Sequence, residues 1–133
     1  MVLDTNVLLD WLVFGDPAVA PLAAGIASGR LRWIATPSMR LEFERVLDYP
    51  QVARFGADRA AAAELWRRHA LMSEAPPPCP LLRCGDPDDQ MFIDLAVAAG
   101  ARWLFSKDRE VLKLARRARG HGLEVLRPAS WTG

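Results

Sequence analysis

The chain has 133 residues, of which about half are apolar, and a formal net charge of +1. That length suits one compact domain spanning 1–133, with enough apolar side chains for a core that needs neither disulfides nor a structural metal. A nearly neutral balance excludes proteins that coat nucleic acid through bulk positive charge, so any RNA contact has to come from locally placed arginines.

No run reaches the roughly 18 apolar residues that a membrane span needs. The N-terminus passes from Met1 through Val2-Leu3 to Asp4 without a basic region or cleavage site, so the expected location is cytoplasmic. Cys79 and Cys84 are then expected as free thiols. With His69 and His121 distant in sequence, they lack the further ligands of a zinc site.

Met1-Val2-Leu3 reads as a short buried strand, stopped by Asp4-Thr5-Asn6 at the start of a helix that is apolar nearly all round to Phe14. Gly15-Asp16-Pro17 breaks that helix, and Pro17 opens a second one to about Ser28. Leu31 to Ala35 is a second strand. Ser38 is the expected N-cap of a helix through Asp48, which Tyr49-Pro50 ends. Ala57 to about Ser73 predicts one alanine-rich helix.

Ala75-Pro76-Pro77-Pro78-Cys79-Pro80 is too rich in proline for helix or central strand and reads as an extended surface connection. Asp86-Pro87 opens a helix ending at Gly100. Trp103-Leu104-Phe105 is a third strand, Ser106-Lys107-Asp108 leads into a helix to about Ala118, and Leu123 to Leu126 is the last strand. Short apolar strands alternating with helices predict a parallel sheet covered on both faces. Such sheets bind ligands beyond the carboxyl ends of their strands, near a switch in strand order.

Acids fall at those ends. Asp4 follows the first strand, Asp108 stands three residues beyond Phe105, and Asp89 lies in the first turn of the helix near Pro87. Helix capping is the plain alternative for Asp4, Asp86 and Asp108, and Asp86 before Pro87 fits it best. Phe92, Leu95, Ala96 and Ala99 form an apolar helical stripe that lets Asp89 look inward and predicts a solvated Asp94. In the helix after Ser38, Glu42 lies at the edge of the core face and Glu44 further round.

Two carboxylates about 5 Å apart repel by roughly 3 kcal/mol at an effective dielectric of 20. A cluster therefore demands a proton or a cation. Carboxylates and water are the preferred surroundings of Mg²⁺ or Mn²⁺, which also take phosphate oxygens. An acid-only site without a histidine base fits metal-assisted phosphodiester hydrolysis.

At this point the sequence resembles the PIN-domain family. Asp4-Thr5-Asn6 after the first strand is similar to its opening motif. Glu42, within Ser38 to Leu47, stands where the family carries a helical acid. Asp86-Pro87-Asp88-Asp89-Gln90-Met91-Phe92 resembles the third motif and Ser106-Lys107-Asp108-Arg109-Glu110 the fourth. The nearest resemblance is to the bacterial branch described as toxins of toxin–antitoxin modules.

The resemblance implies a three-layer α/β/α fold with a mainly parallel sheet, Mg²⁺ or Mn²⁺ dependence, and endonucleolytic cleavage of RNA. It makes Asp4, Glu42, Asp89 and Asp108 the catalytic acids, with Asp4, Asp89 and Asp108 as the main metal ligands. Thr5, Asn6 and Ser106 become supporting groups; Asp86 and Glu110 are close enough to share the work. A homodimer and a small antitoxin partner are also implied.

Two rival classes have different signatures. A catalytically silent PIN-like module that grips RNA or protein does not need all four acids. A phospho-signalling receiver needs a lysine after its last strand, whereas Lys107 directly precedes Asp108. The five tryptophans read as core or oligomer contacts, since a base-stacking platform requires exposed aromatics beside the acids. Arg40 and Arg45, flanking Glu42, are better RNA candidates than the Arg116-Arg117 and Arg119 run at a helix end.

Overall fold

A computed structural model describes residues 1–133. Five short strands form its sheet: β1 (Val2–Leu3), β2 (Trp33–Ala35), β3 (Ala70–Met72), β4 (Trp103–Phe105) and β5 (Glu124–Leu126). β1 pairs with β4 and β4 with β5, both parallel, and β2 pairs parallel with β3. The Met1 amino group donates to Arg32 O at 2.7 Å, and Ile34 N–H donates to Met1 O at 2.9 Å. This is the slanted pattern of a parallel pair, and it joins the two ladders in the order β3-β2-β1-β4-β5.

Helices flank the sheet in the expected α/β/α arrangement: α1 (Thr5–Leu9), α2 (Ala20–Ala27), α3 (Pro37–Leu47), α4 (Pro50–Ala53), α5 (Arg59–His69), α6 (Gln90–Ala98), α7 (Arg109–Leu112) and α8 (Ala115–Ala118). α1 continues as a π-helical turn over Asp10–Phe14, closed by Gly15 at φ 63°. No single helix is long and apolar enough to cross a membrane. One contiguous core fills the interior, with Leu8, Phe43, Phe92, Phe105 and Leu104 at 1 % exposure or less. Trp33 and Trp66 are buried in it, their rings 4.5 Å apart, while Trp103 and Trp131 pack together at its margin.

The helix expected from Asp108 to about Ala118 is broken at Lys113-Leu114 into α7 and α8, and three further features depart from the sequence pattern. Thr36 rather than Ser38 caps α3, accepting from Met39 N–H through Oγ1; Pro37 occupies the first helical position, so the cap falls one residue before it. The alanine-rich helix stops at His69, and Ala70–Met72 become a strand. Alanine, leucine and methionine all favour helix, and only pairing with β2 turns them to strand. Asp94 is buried instead of solvated, accepting from Cys79 N–H and Gln90 Nε2, each at 2.8 Å. The proline-rich connection folds back over that face of α6, anchored by fully buried Leu82 and by Gln90, which also bonds Leu82 O and Cys84 N–H.

Candidate functional site

The strand order reverses between β1 and β4, and it is beyond the carboxyl ends of the strands at such a switch that parallel sheets bind ligands. Asp4 N–H extends the ladder to Phe105 O at 3.0 Å, which fixes Asp4 at this point. Its backbone stands at the N-cap of α1, yet its side chain makes no capping bond. The carboxylate instead accepts from Ser106 Oγ at 2.6 Å across the switch. Capping therefore does not account for Asp4.

Ser106, fully buried after β4, works in two directions: its hydroxyl donates to Asp4 and accepts from Asp108 N–H at 3.0 Å. Asp108 caps α7 through Oδ1, taking Glu110 N–H at 2.8 Å. Asp86 likewise caps the 3₁₀ turn Pro87–Asp89, accepting from Asp88 N–H at 2.9 Å. For these two acids capping and clustering coexist, because a capping carboxylate keeps a second oxygen free.

Asp86, Asp89 and Asp108 each offer one carboxylate oxygen within 4.8 Å of the others. This close group contains two of the four acids singled out in the sequence, Asp89 and Asp108, and adds Asp86. Asp4 and Glu42 lie outside it, though not out of electrostatic reach. Burial raises the Asp4 carboxyl from its ordinary 3.8 to about 6, against the Ser106 hydrogen bond, with the Glu42 and Asp108 charges adding to the rise. Asp89 rises to about 8, first through burial, then through the charges of Asp4, Asp108 and Asp86, and last through a hydrogen bond that its protonated form shares with Asp108. Its Oδ2 is buried with no hydrogen-bond partner.

Glu42 reaches the same edge from α3, where Thr5 Oγ1 donates to its Oε2. Glu44 faces away into an exposed pair with Arg40 at 3.1 Å. Asn6 Oδ1 accepts from Lys107 N–H at 3.1 Å. Thr5, Asn6 and Ser106 thus tie α1, α3 and the β4–α7 loop together around the acids. Glu110 turns instead to Lys113 at 2.7 Å, and it packs so closely on Gly85 that a Cβ there would stand 2.2 Å from its Oε2.

Two neighbours escaped the sequence reading. Buried Asp10 forms an ion pair with Lys107 at 2.6 Å, a second anchor for the loop carrying Asp108. An apolar helix face gives no hint that one acid on it is paired from across the fold. Cys84 lies next to the acids: burial pushes its thiol up, and the charges of Asp89, Asp108 and Asp86 push it further.

The donor set is oxygen only, carries several negative charges at close range, and includes a buried oxygen without a donor. Those are the properties of a site for a hard divalent cation such as Mg²⁺ or Mn²⁺, and Asp86, Asp89 and Asp108 could hold one. Fold and site together define a doubly wound α/β protein with an acidic centre at its topological switch point. Residues 1–110 match the family model for the PIN domain, and the chain belongs to that family. No curated protein gives a significant match.

Proposed function

We propose that this protein is a Mg²⁺- or Mn²⁺-dependent endoribonuclease, a single PIN-like domain over residues 1–133 that acts as the toxin of a toxin–antitoxin module. The observation that carries the reading is the close carboxylate group of Asp86, Asp89 and Asp108, in which Asp89 also has a buried oxygen with no hydrogen-bond partner. When ionised, each close pair within it repels by about 3 kcal/mol at an effective dielectric of 20, a repulsion that a bound cation relieves.

In this reading Asp4, Asp89 and Asp108 hold the cation, and Asp86 completes the group. When bound, the ion supplies Lewis-acid stabilisation of the negative charge that builds on the phosphate. Ser106 fixes the Asp4 carboxylate and the Asp108 backbone together, so that two ligands move as one unit. Glu42, oriented by Thr5, directs the attacking water and accepts its proton. Hydrolysis then forms a bond from the water oxygen to phosphorus and breaks the bond from phosphorus to the leaving ribose oxygen, which takes up a proton from solvent to leave as the hydroxyl. Neutralisation by a small antitoxin and homodimer formation belong to the same reading, with Leu71 and Met72, half-exposed on the edge strand, as apolar surface for a partner.

The test is cleavage of a mixed RNA panel by purified protein with Mg²⁺, Mn²⁺ or EDTA, beside Asp4→Asn and Asp108→Asn. Metal-dependent cutting that both substitutions abolish, with folding intact by circular dichroism, is the expected result. Cutting that survives EDTA or a clean Asp4→Asn preparation sinks the assignment. Neither cutting nor metal binding returns the protein to the class of silent binding modules.

A further inference from the structure

Beside the acids, a cleft of about 740 Å³ opens along α3. Its walls include Ser38, Glu42, Arg45 and Tyr49 from the α3 side, and Asp88 and Met91 from the start of α6. Glu42 and Asp88 make it continuous with the acidic centre, since Glu42 is bonded to Thr5 and Asp88 adjoins Asp89. The volume is in the range of pockets that take ligands of nucleotide size.

Two side chains in this cleft have chemistry that the carboxylate centre does not use. Arg45 is the first. A second cleft on the other flank of α3 is lined by Arg40, Arg45 and Arg59. Arg40 is paired with Glu44 at 3.1 Å and Arg59 with Asp48 at 2.6 Å. Arg45 has no carboxylate partner and no side-chain hydrogen bond. A guanidinium so placed keeps its planar fork of donors for a phosphate.

Tyr49 is the second. It lies four residues beyond Arg45 and past the end of α3 at Leu47, with its backbone set in an extended conformation immediately before Pro50, and it is 40 % exposed. None of the tryptophans lines this cleft, so Tyr49 is its only aromatic ring. Glu42 and Arg45 are three residues apart on α3, neighbours on one helix face, and Tyr49 lines the same cleft from just beyond the end of that helix. An acid bonded to Thr5, an unpaired cation and a flat ring thus share one cleft.

We propose that Arg45 and Tyr49 form a nucleotide subsite for single-stranded RNA, in which Arg45 holds the phosphate next to the one cut and Tyr49 stacks on the adjoining base. The choice of RNA rests on the nuclease reading; the subsite itself rests on the cleft. A single strand is required because only an unpaired base can present its face to the ring.

The experiment measures binding and cutting separately. Binding uses fluorescence anisotropy of a labelled oligoribonucleotide with Asp4→Asn protein, alone and combined with Arg45→Ala, Tyr49→Ala or Tyr49→Phe. Arg45→Ala and Tyr49→Ala each weaken binding by about ten-fold, and Tyr49→Phe retains it because the ring remains. Arg45→Ala also lowers the slope of log affinity against log salt by about 0.7, the loss of one phosphate contact on a single strand. In otherwise native enzyme the same substitutions raise KM and leave kcat within about two-fold, since they hold substrate outside the reacting centre. Both side chains are exposed, and thermal melts verify that the variants fold; Arg45→Gln replaces Arg45→Ala, and Tyr49→Leu replaces Tyr49→Ala, where the alanine variant does not.

Binding and salt slope unchanged in Arg45→Ala, or a duplex bound as tightly as the single strand, overturns the subsite whether or not RNA is cut. Binding that depends on Arg45 and Tyr49 without any cutting by the native enzyme leaves the subsite standing and overturns the nuclease reading alone.

Discussion

Asp4 and Asp89 stand at the same edge of the sheet, and the more deeply buried of the two is the less perturbed. Asp4 is 3 % exposed and its carboxyl is raised to about 6; Asp89 is only half-buried and raised to about 8. The difference lies in hydrogen-bond donors. Asp4 receives Ser106 Oγ at 2.6 Å, which favours the ionised form. Asp89 has Asp4, Asp86 and Asp108 around it and no donor on Oδ2. Depth alone therefore does not decide how a carboxylate bears its charge. On the β1 side one carboxylate oxygen is met by a hydroxyl donor, and on the Asp86–Asp89 side a buried oxygen has no hydrogen-bond partner.

The substitution with the largest expected effect separates the two acids. Asp89→Asn removes a carboxyl whose ionisation the fold opposes, raised as it is to about 8, so at pH 8, where it begins to ionise, the metal-free variant melts at a higher temperature than the native chain. It also removes a ligand from the group, and Mn²⁺ binding weakens by about 100-fold or more, beyond the 10–100-fold typical of supporting residues. Asp4→Asn keeps an acceptor for Ser106 and gives the smaller gain in metal-free stability. Melting curves and titration calorimetry with and without Mn²⁺ read both effects. Equal gains for the two variants would break the comparison, because they would show that donors are not what distinguishes the sites.

Ser106→Ala makes Asp4 resemble Asp89. Without its hydroxyl donor the Asp4 carboxyl moves further up from about 6, and Asp108 N–H loses its acceptor. Metal affinity is expected to fall by about ten-fold, the lower end of the range for groups that orient ligands. Ser106→Thr retains the hydroxyl and restores it. Affinity unchanged in Ser106→Ala, measured by the same calorimetry, would mean that the β1 side contributes nothing to the ion's hold.

How much of this site was legible in the sequence follows the same division. Asp4, Asp89 and Asp108 stood out because each follows a strand or opens a helix, which are features of local pattern. The parallel α/β architecture was legible for the same reason. Asp86 read chiefly as a cap, and it is one; that a capping acid also joins the cluster depends on how the proline-rich connection returns over α6. Asp94 and Asp10 were illegible because their partners, Cys79 N–H and the Lys107 ammonium, arrive from distant segments. β3 was hidden by residues that favour helix until β2 is beside them. Local chemistry marked the acids, whereas contacts over long sequence separation chose which oxygens are left bare.

The smallest expected effect tests whether those bare oxygens govern stability in the metal-free protein. Asp89 binds its proton more tightly folded than unfolded, because its carboxyl lies at about 8 in the fold against an ordinary 3.8. Between those values the folded state holds more protons, so raising the pH favours unfolding. The group's full contribution is present below about pH 4 and is lost as pH rises towards 8. Asp4 acts in the same direction over the narrower window from about 4 to about 6. In EDTA the melting temperature is therefore expected to fall by a few degrees between pH 5 and pH 8, after allowance for the slope that Asp89→Asn retains. Saturating Mn²⁺ flattens the native profile at the alkaline end, because the ion binds the ionised carboxylates and stabilises only the folded state. A native slope that Asp89→Asn leaves unchanged would show that the repulsion is dissipated by solvent, and the contrast between the two sides of the site would then be one of geometry and not of charge.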